Sequence, residues 1–328
     1  MPRRAASTVA VLAVALTLVL ALGPALALGS TPVAVTIAAN APIAVRSGKT
    51  LTLRGSASVG ASSGETLTVA FQRLKATTWS TVATSVVVLD SRRAFSATYK
   101  PGLRGHWRAL VSIEATLGHV SATSRPAAFK VVGPKVIALT FDDGPWPSST
   151  DKIVNSLAKL DVQATFFMLG RQVQGAGARA KSVATHGNLV GVHSWNHALM
   201  TRRSSAANRA DLKRSKNAIA AATGVVPTWF RPPYGATNRS LKSTASKLGL
   251  RQVIWTVDTL DWKYRNASSI TSRALRGARS GGVVLMHDGG GPRAATVAAV
   301  PAIVKKLRAR GFDFVTLDEM TVLGYSVR

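Results

Sequence analysis

From Lys135 to the C-terminus, short apolar runs alternate with stretches of helical periodicity, and a polar or charged residue closes most of the runs. Strands are expected at 136–141, 164–168, 189–192, 228–231, 252–257, 283–286 and 312–317. Helices are expected between them at 150–160, 173–186, 205–222, 240–248, 268–278 and 296–310. This alternation requires a parallel sheet, either doubly wound or closed as a barrel. The polar residues choose between the two. Asp142 with Asp143, His193, Arg231, Asp258 with Asp261, and His287 fall just past the C-terminal ends of five different strands. In a closed barrel those ends converge on one face, whereas an open sheet would spread several of them too far apart to share a pocket. The expectation for residues 133–328 is therefore a distorted, seven-stranded (β/α)7 barrel.

The preceding segment, 28–132, has a different period. Runs of alternating β-formers at 33–37, 51–54, 67–71, 85–89, 94–99 and 106–111 are separated by Gly- and Ser-rich turns such as 60–64. About seven short strands at this spacing suggest a small all-β sandwich of immunoglobulin or fibronectin type. The pattern around Trp79, Phe95 and Trp107 resembles the Ig-like modules appended to secreted wall enzymes, so a spacer or adhesion role is expected here. Residues 1–27 read as a secretory signal, with Arg3 and Arg4 ahead of the apolar stretch 9–22 and a small-x-small site at Ala25-Leu26-Ala27. An uncleaved anchor is the alternative, but the apolar stretch is short for a bilayer and ends at Gly23-Pro24.

Cysteine is absent, so neither disulfides nor thiolate metal sites can form, and any metal must be held by His, Asp or Glu. Basic residues outnumber acidic ones 42 to 14, by 12 to 3 within 28–132 and by 28 to 11 beyond it. Such an excess implies anionic partners, and for an exported protein these are wall polymers or anionic lipid before nucleic acid. No nucleic-acid-binding motif accompanies the charge.

Against that background two adjacent carboxylates, in Thr140-Phe141-Asp142-Asp143-Gly144-Pro145, stand out. Asp before Gly-Pro is ordinary turn chemistry when it occurs alone. Downstream, His193 and His197 are spaced i, i+4, one face of a helix if the segment begins one. One carboxylate with two imidazoles leaves a divalent metal an open position, as catalytic zinc requires. In Arg231-Pro232-Pro233-Tyr234-Gly235 the prolines fix the backbone so that the main-chain N–H groups of Tyr234 and Gly235 can point inward. Asp258 and Asp261 could hold the Arg231 guanidinium, Trp262 could wall an apolar pocket, and His287 is a candidate proton donor.

Taken in order, Thr-Phe-Asp-Asp-Gly-Pro, His-Ser-x-x-His, Arg-Pro-Pro-Tyr-Gly, Asp-x-x-Asp-Trp and Leu-x-His resemble the five motifs of the polysaccharide deacetylase family, the NodB-homology domain of carbohydrate esterase family 4. The likeness spans Lys135 to about Leu317. It implies a (β/α)7 barrel and metal-dependent hydrolysis of N- or O-acetyl groups on a polysaccharide. Carried over position by position, it makes Asp143, His193 and His197 the metal ligands, with Zn2+ first and Co2+, Mn2+ or Ni2+ as alternatives. Asp142 becomes the general base and His287 the general acid. The Tyr234 N–H stabilises the oxyanion, Leu285 and Trp262 form the acetyl-methyl pocket, and Arg231, held by Asp261, tunes Asp142.

Export, basic charge and an appended β-sandwich favour peptidoglycan N-acetylglucosamine as substrate, in a secreted or wall-associated enzyme. Chitin oligomers, another poly-N-acetylglucosamine and acetylxylan are the alternatives, because specificity lies in loops. The rival from a different class is a non-catalytic protein that binds wall glycan through its charge.

Overall fold

A computed structural model describes residues 32–38, 43–116 and 118–327. The expected signal at 1–27 lies outside the described residues. Among the described residues no helix is long and apolar enough to cross a membrane.

In the first unit, period-two alternation builds the strands. Leu51–Ala57 buries Leu51, Leu53 and Ala57, and Gly105–Ile113 buries Trp107, Ala109, Val111 and Ile113. Val35–Ile37, Leu51–Ala57 and Ala94–Tyr99 form one antiparallel sheet. A second sheet runs in the order Ala44–Arg46, Ala127–Val132, Gly105–Ile113, Thr66–Lys75 and Thr78–Val88, with Ala122–Thr123 beside Gly105–Ile113. Both sheets feed one apolar core that includes Leu53, Val69, Phe71, Phe95 and Trp107. The indole N–H of Trp107, cut off from water, donates to the Leu103 carbonyl at 2.9 Å.

The second unit alternates strands and helices as its periodicity predicts. Its sheet is parallel, in the order Arg251–Gln252, Trp229–Phe230, Leu189–Val192, Thr165–Met168, Lys135–Asp142, Gly282–His287 and Val257–Asp258. Phe312–Phe314 pairs with the first residues of Lys135–Asp142, on the edge that Thr165–Met168 takes further along, and so wedges between those two strands. Along the central strand, Ile137, Leu139 and Phe141 turn outward to pack with Ile153, Leu157 and Val304 of the covering helices. Val136 and Ala138 turn inward against Phe167, Trp229 and Val283. The same alternation sends Thr140 and Asp142 to the interior.

The structure departs from the expected seven-stranded barrel at 252–257. That strand is divided into Arg251–Gln252 and Val257–Asp258, at opposite edges of the sheet. The Val253 N–H bonds to Phe230 O while the Thr256 N–H bonds to Val283 O, so within three residues the chain passes from one neighbour to the other. The result is a curved half-barrel sheet whose two edges are the ends of one segment, not a ladder bonded all the way round. The expected helix 173–186 is likewise broken, into Gly170–Gly175 and Gly177–Thr185. The last expected strand stops at Phe314, and Thr316 with Glu319 forms a capping box that starts the helix Leu317–Val322.

The two units meet where the barrel strands begin. Lys130 Nζ donates to Gln163 Oε1 at 2.8 Å and to Phe314 O at 3.1 Å, and the Gly133 N–H donates to Asp313 Oδ2 at 2.6 Å. Val132 belongs to the apolar cluster inside the second unit.

One titratable pair in the first unit escaped the sequence reading. His119 Nε2 lies 2.8 Å from Glu65 Oε2, with the His119 side chain buried. A hydrogen bond to the Val120 carbonyl raises the imidazole pKa; desolvation opposes this and the Glu65 carboxylate adds to it, leaving the value above the usual one. A group whose folded pKa is raised lends stability that is complete below its unfolded value, about 6.5, and disappears as pH rises through the folded value. The melting-temperature gap between wild type and His119→Gln should accordingly narrow as pH rises above about 6.5. A gap that stays constant as pH rises would show that the pair contributes nothing through protonation.

Candidate active site

Strand register assembles the site. Asp142 pairs with His287 on the neighbouring strand, and His193 and Arg231 each follow a strand-ending residue, Val192 and Phe230, that are themselves partners. Asp142, Asp143, His193, His197, Tyr234, Trp262, Leu285 and His287 line one cavity of ≈420 Å3, together with Trp255, Asp258 and Arg293. All the residues picked out from sequence as metal-, proton- or substrate-handling converge here except Arg231 and Asp261, which lie behind its wall.

Arg231 is fully buried. Its Nη1 donates to Asp142 Oδ1 and to Thr140 Oγ1, both at 2.8 Å, and the guanidinium lies 4.3 Å from the centre of the Phe167 ring. The expectation that Asp261 holds Arg231 is wrong. Asp261 Oδ1 instead takes the His287 ring at Nδ1, 2.7 Å away, while its Oδ2 accepts from the His287 backbone N–H at 2.8 Å and from Thr296 Oγ1 at 2.7 Å. Asp258, the other partner proposed for Arg231, accepts the Leu260 N–H and closes a turn. Asp142 thus takes Arg231 through Oδ1 alone, while Asp261 takes His287 and has both of its oxygens engaged.

The histidine pair meets by a different route from the one expected. Residues 193–197 are a loop, with Ser194 at φ 71° and His197 at φ 62°, and the helix begins only at Ser205. Ser194 Oγ accepts the His197 N–H at 3.0 Å, and Asp211 Oδ1 accepts the Trp195 N–H at 2.7 Å. These bonds supply the turn that a helix would have supplied. The ring centroids of His193 and His197 end up 5.1 Å apart.

His193 Nδ1 lies 2.7 Å from the Arg231 carbonyl, which can only accept, so Nδ1 carries the proton and Nε2 presents a lone pair. Burial holds the His193 pKa down at about 3, keeping the ring neutral. Asp143 Oδ1 is buried with no hydrogen-bond partner, and it lies 3.5 Å from Nε2 of both His193 and His197. One ligand atom from each of the three falls within 4.8 Å of the others. An unpaired carboxylate oxygen, a neutral imidazole fixed from behind and a second imidazole form the donor set of a divalent cation with room for further ligands, so the residues fit a metal.

The flanking acid and base are both tuned upward. Desolvation raises the Asp142 pKa, and it prevails over the opposing charges of Arg231 and His287. For His287 burial acts downward, but the bond and charge of Asp261 with the charges of Asp142 and Asp143 outweigh it and leave the pKa raised. The cavity therefore faces a carboxylate and an imidazole that each bind a proton more tightly than usual.

Several contributors were not identified from sequence. Trp255 sat inside a run read as strand. Arg293 immediately precedes the helix Ala294–Ala309, outside the expected helix 296–310, and donates from Nε to Gly289 O at 2.7 Å. Asp288 is buried behind the Asp142-Asp143 turn, bonded to Thr150 Oγ1 at 2.5 Å, and burial pushes its carboxyl up to about 7. Its position also explains Gly144, where a Cβ would collide with the Asp288 carboxylate.

Comparison with known proteins places this geometry among relatives. A family model described as polysaccharide deacetylase matches residues 130–253. Peptidoglycan-N-acetylglucosamine deacetylase PgdA of Listeria monocytogenes is 40% identical over 200 residues, which is 61% of this chain and 42% of that protein. The chain thus spans about two fifths of PgdA's length. A peptidoglycan-N-acetylglucosamine deacetylase of Bacillus cereus is 36% identical over 57% of this chain and 88% of its own. Among solved structures, a family 4 carbohydrate esterase from Streptomyces lividans in complex with acetate superposes with a TM-score of 0.54 at 36% identity, covering 57% of this chain and 95% of that one.

Replacing Asp143 by Asn keeps the shape and removes the anionic ligand. Zinc affinity measured calorimetrically should fall by more than about 100-fold, beyond what loss of an outer supporting group costs. His186→Asn, at a histidine outside the cluster, should leave it unchanged. Unaltered zinc affinity in the Asp143 variant would mean that the cation binds elsewhere.

Proposed function

The chain belongs to the polysaccharide deacetylase family, and from that premise we propose that it is a secreted, metal-dependent hydrolase that removes N-acetyl groups from N-acetylglucosamine residues of peptidoglycan. The observation that carries the reading is the opposed pair Asp142 and His287, in register on adjacent strands, facing one cavity beside the Asp143, His193 and His197 cluster.

An amide needs both a stronger nucleophile than water and a proton for its departing nitrogen. A divalent cation held by Asp143, His193 and His197 would polarise the acetyl carbonyl and make water more acidic, and zinc suits that donor set. Asp142 accepts the proton of the attacking water. Its raised pKa makes it a better base, and the bond from Arg231 fixes the orientation of its carboxylate. The Tyr234 N–H is assigned to the oxyanion of the tetrahedral intermediate. Its residue adopts φ 61° within the turn Pro233–Gly235, beside His197, whose ring centroid is 4.4 Å from that of Tyr234. His287 delivers a proton to the leaving nitrogen through Nε2, since Nδ1 is engaged by Asp261. Leu285 and Trp262 line the space for the acetyl methyl, and Trp255 adds to that wall.

Secretion is inferred from the signal-like segment 1–27, and wall association from the excess of basic over acidic residues. The two-sheet unit is assigned as an Ig-like spacer. The relatives named for peptidoglycan favour that substrate over chitin oligomers or acetylxylan.

Acetate release from peptidoglycan, chitin oligomers and acetylxylan, with and without chelator, tests the reading. Wild type should release acetate from peptidoglycan in a chelator-sensitive way, and Asp142→Asn and His287→Asn should each lower kcat by about 10^2- to 10^4-fold. Equal release by Asp142→Asn would remove the base assignment, and no release by wild type from any of the three would favour a non-catalytic glycan binder.

A further inference from the structure

The wall of the catalytic cavity includes a cation to which the chemistry above gives no task. Arg293 lines the cavity, yet the residue is only 5% exposed. Its Nε donates to Gly289 O at 2.7 Å and its Nη2 to Gly290 O at 3.3 Å, so the fork is fixed by its own loop. Nη1 has no partner among the described residues and is not sealed from solvent. The two carbonyls satisfy donors but not the charge, and no carboxylate oxygen of the described residues lies within 4 Å of the guanidinium. An interior cation without a counter-charge is costly, and a free donor on it points to a ligand.

Asp143 supplies the other half of the feature. Its Oδ1 lies 3.5 Å from Nε2 of both histidines, while its Oδ2 stands on the Gly290 side and accepts no hydrogen bond from the described residues. A Cβ built on Gly290 would sit 2.5 Å from Asp143 Oδ2 and 3.4 Å from Arg293 Nη2, so the missing side chain leaves a slot between anion and cation. Gly290 has φ 72°, a conformation that reserves the position for glycine. The two atoms are too far apart for an ion pair and no further apart than those two distances combined. A single oxygen about 2.8 Å from each spans such a gap. A hydroxyl is the group that accepts from a guanidinium and donates to a carboxylate at once. A carboxylate or phosphate in the slot would meet Asp143 with like charge, and an ammonium would meet Arg293 in the same way.

We propose that Arg293 and Oδ2 of Asp143 form a subsite for one sugar hydroxyl, the hydroxyl at C3 of the residue being deacetylated. The inference rests on the deacetylase reading above and narrows its substrate. In a 1,4-linked chain C1 and C4 are spent on the links and C2 carries the acetamido group. C3 then bears the only free hydroxyl on a carbon next to the reacting substituent. Asp143 belongs to the cluster that handles the acetyl group, so a hydroxyl held by its second oxygen is one that lies close to that group. In N-acetylmuramic acid the oxygen at C3 is an ether, which cannot donate to Asp143 and brings a carboxylate toward it. Selectivity for N-acetylglucosamine over N-acetylmuramic acid within one peptidoglycan strand is thereby assigned to these two side chains.

The test uses synthetic alternating oligomers of N-acetylglucosamine and N-acetylmuramic acid whose glucosamine residues are intact, 3-deoxy or 6-deoxy. Acetate release by the full-length, zinc-loaded wild type should come from the glucosamine residues, with kcat/KM about tenfold lower on the 3-deoxy oligomer and unchanged on the 6-deoxy one. Arg293→Gln should lose about tenfold on the intact oligomer and little on the 3-deoxy one, so that the penalty for removing the hydroxyl shrinks. Arg293→Lys, which keeps a charged donor, should recover part of that loss. Zinc affinity of both variants, measured calorimetrically, should fall by less than about tenfold, the smallest loss expected when a group supporting a metal ligand is removed. Equal losses by Arg293→Gln on the intact and 3-deoxy oligomers, or a larger fall in zinc affinity, would show that Arg293 only braces its loop and would overturn the subsite. A wild type indifferent to the 3-hydroxyl would leave a water alone in the slot and overturn it too; that comparison needs no variant, so it decides even where Arg293→Gln does not fold. Wild type inactive on the intact oligomer would overturn the deacetylase reading and this one with it, whereas activity without selective loss overturns this one alone.

Discussion

The buried guanidinium of Arg231 is the contact around which the mouth of the half-barrel is built. Its Nη1 bridges Asp142 and Thr140, its carbonyl fixes the tautomer of His193, and its face lies between Phe167 and the more distant Trp255. One residue thereby orients both the Asp142 carboxylate, proposed as the base, and the His193 imidazole that ends the adjacent strand. A buried ion pair of this kind contributes little to net stability, because desolvation offsets much of the attraction. Breaking it would be costly, since it would leave a carboxylate alone in an interior site. Its value lies in orientation: a carboxylate pinned through Oδ1 has only Oδ2 left to offer the cavity.

Backbone conformation repeats the pattern. Among the described residues eight non-glycine positions have positive φ, and five of them, Asp143, Ser194, His197, Tyr234 and Leu260, lie in the loops that follow the strands around the site. Such conformations persist only where surrounding bonds overdetermine them. Ser194 Oγ on the His197 N–H and Asp258 Oδ1 on the Leu260 N–H are two of those bonds. Hydrogen bonds within the loops therefore hold them in this arrangement.

Much of this was legible in the sequence because the chemistry-bearing residues end apolar runs, and period-two alternation inside a run dictates which side chains face inward. That logic sends Thr140, Asp142, Leu285 and His287 to the interior. It could not say how 193–197 folds: i, i+4 spacing suits a helix, but tight hydrogen bonds from Ser194 and Asp211 produced a left-handed turn instead. Nor could it assign partners among two carboxylates and two cations. Geometry gave Asp261 to His287 because Thr296 and the His287 backbone already fix that carboxylate, leaving Asp142 to Arg231. The helix at Leu317–Val322 was readable, since Thr316 and Glu319 have the capping-box spacing, yet the apolar run before them extended the strand too far. Trp255 was hidden for the opposite reason: a residue that interrupts a strand to line a pocket looks, in one dimension, like any strand tryptophan.

The placement of the first unit completes the argument. Its polar contacts reach Asp161, Gln163, Asp313 and Phe314, which lie where the parallel strands start. The site lies where they end, and the eight residues of Lys135–Asp142 separate the two levels by roughly 23 Å at the rise of a β-strand. An appended unit fixed at that face can neither donate a side chain to the cavity nor cover its mouth. It leaves the strand-end loops, which carry the cavity residues, at the opposite face of the second unit.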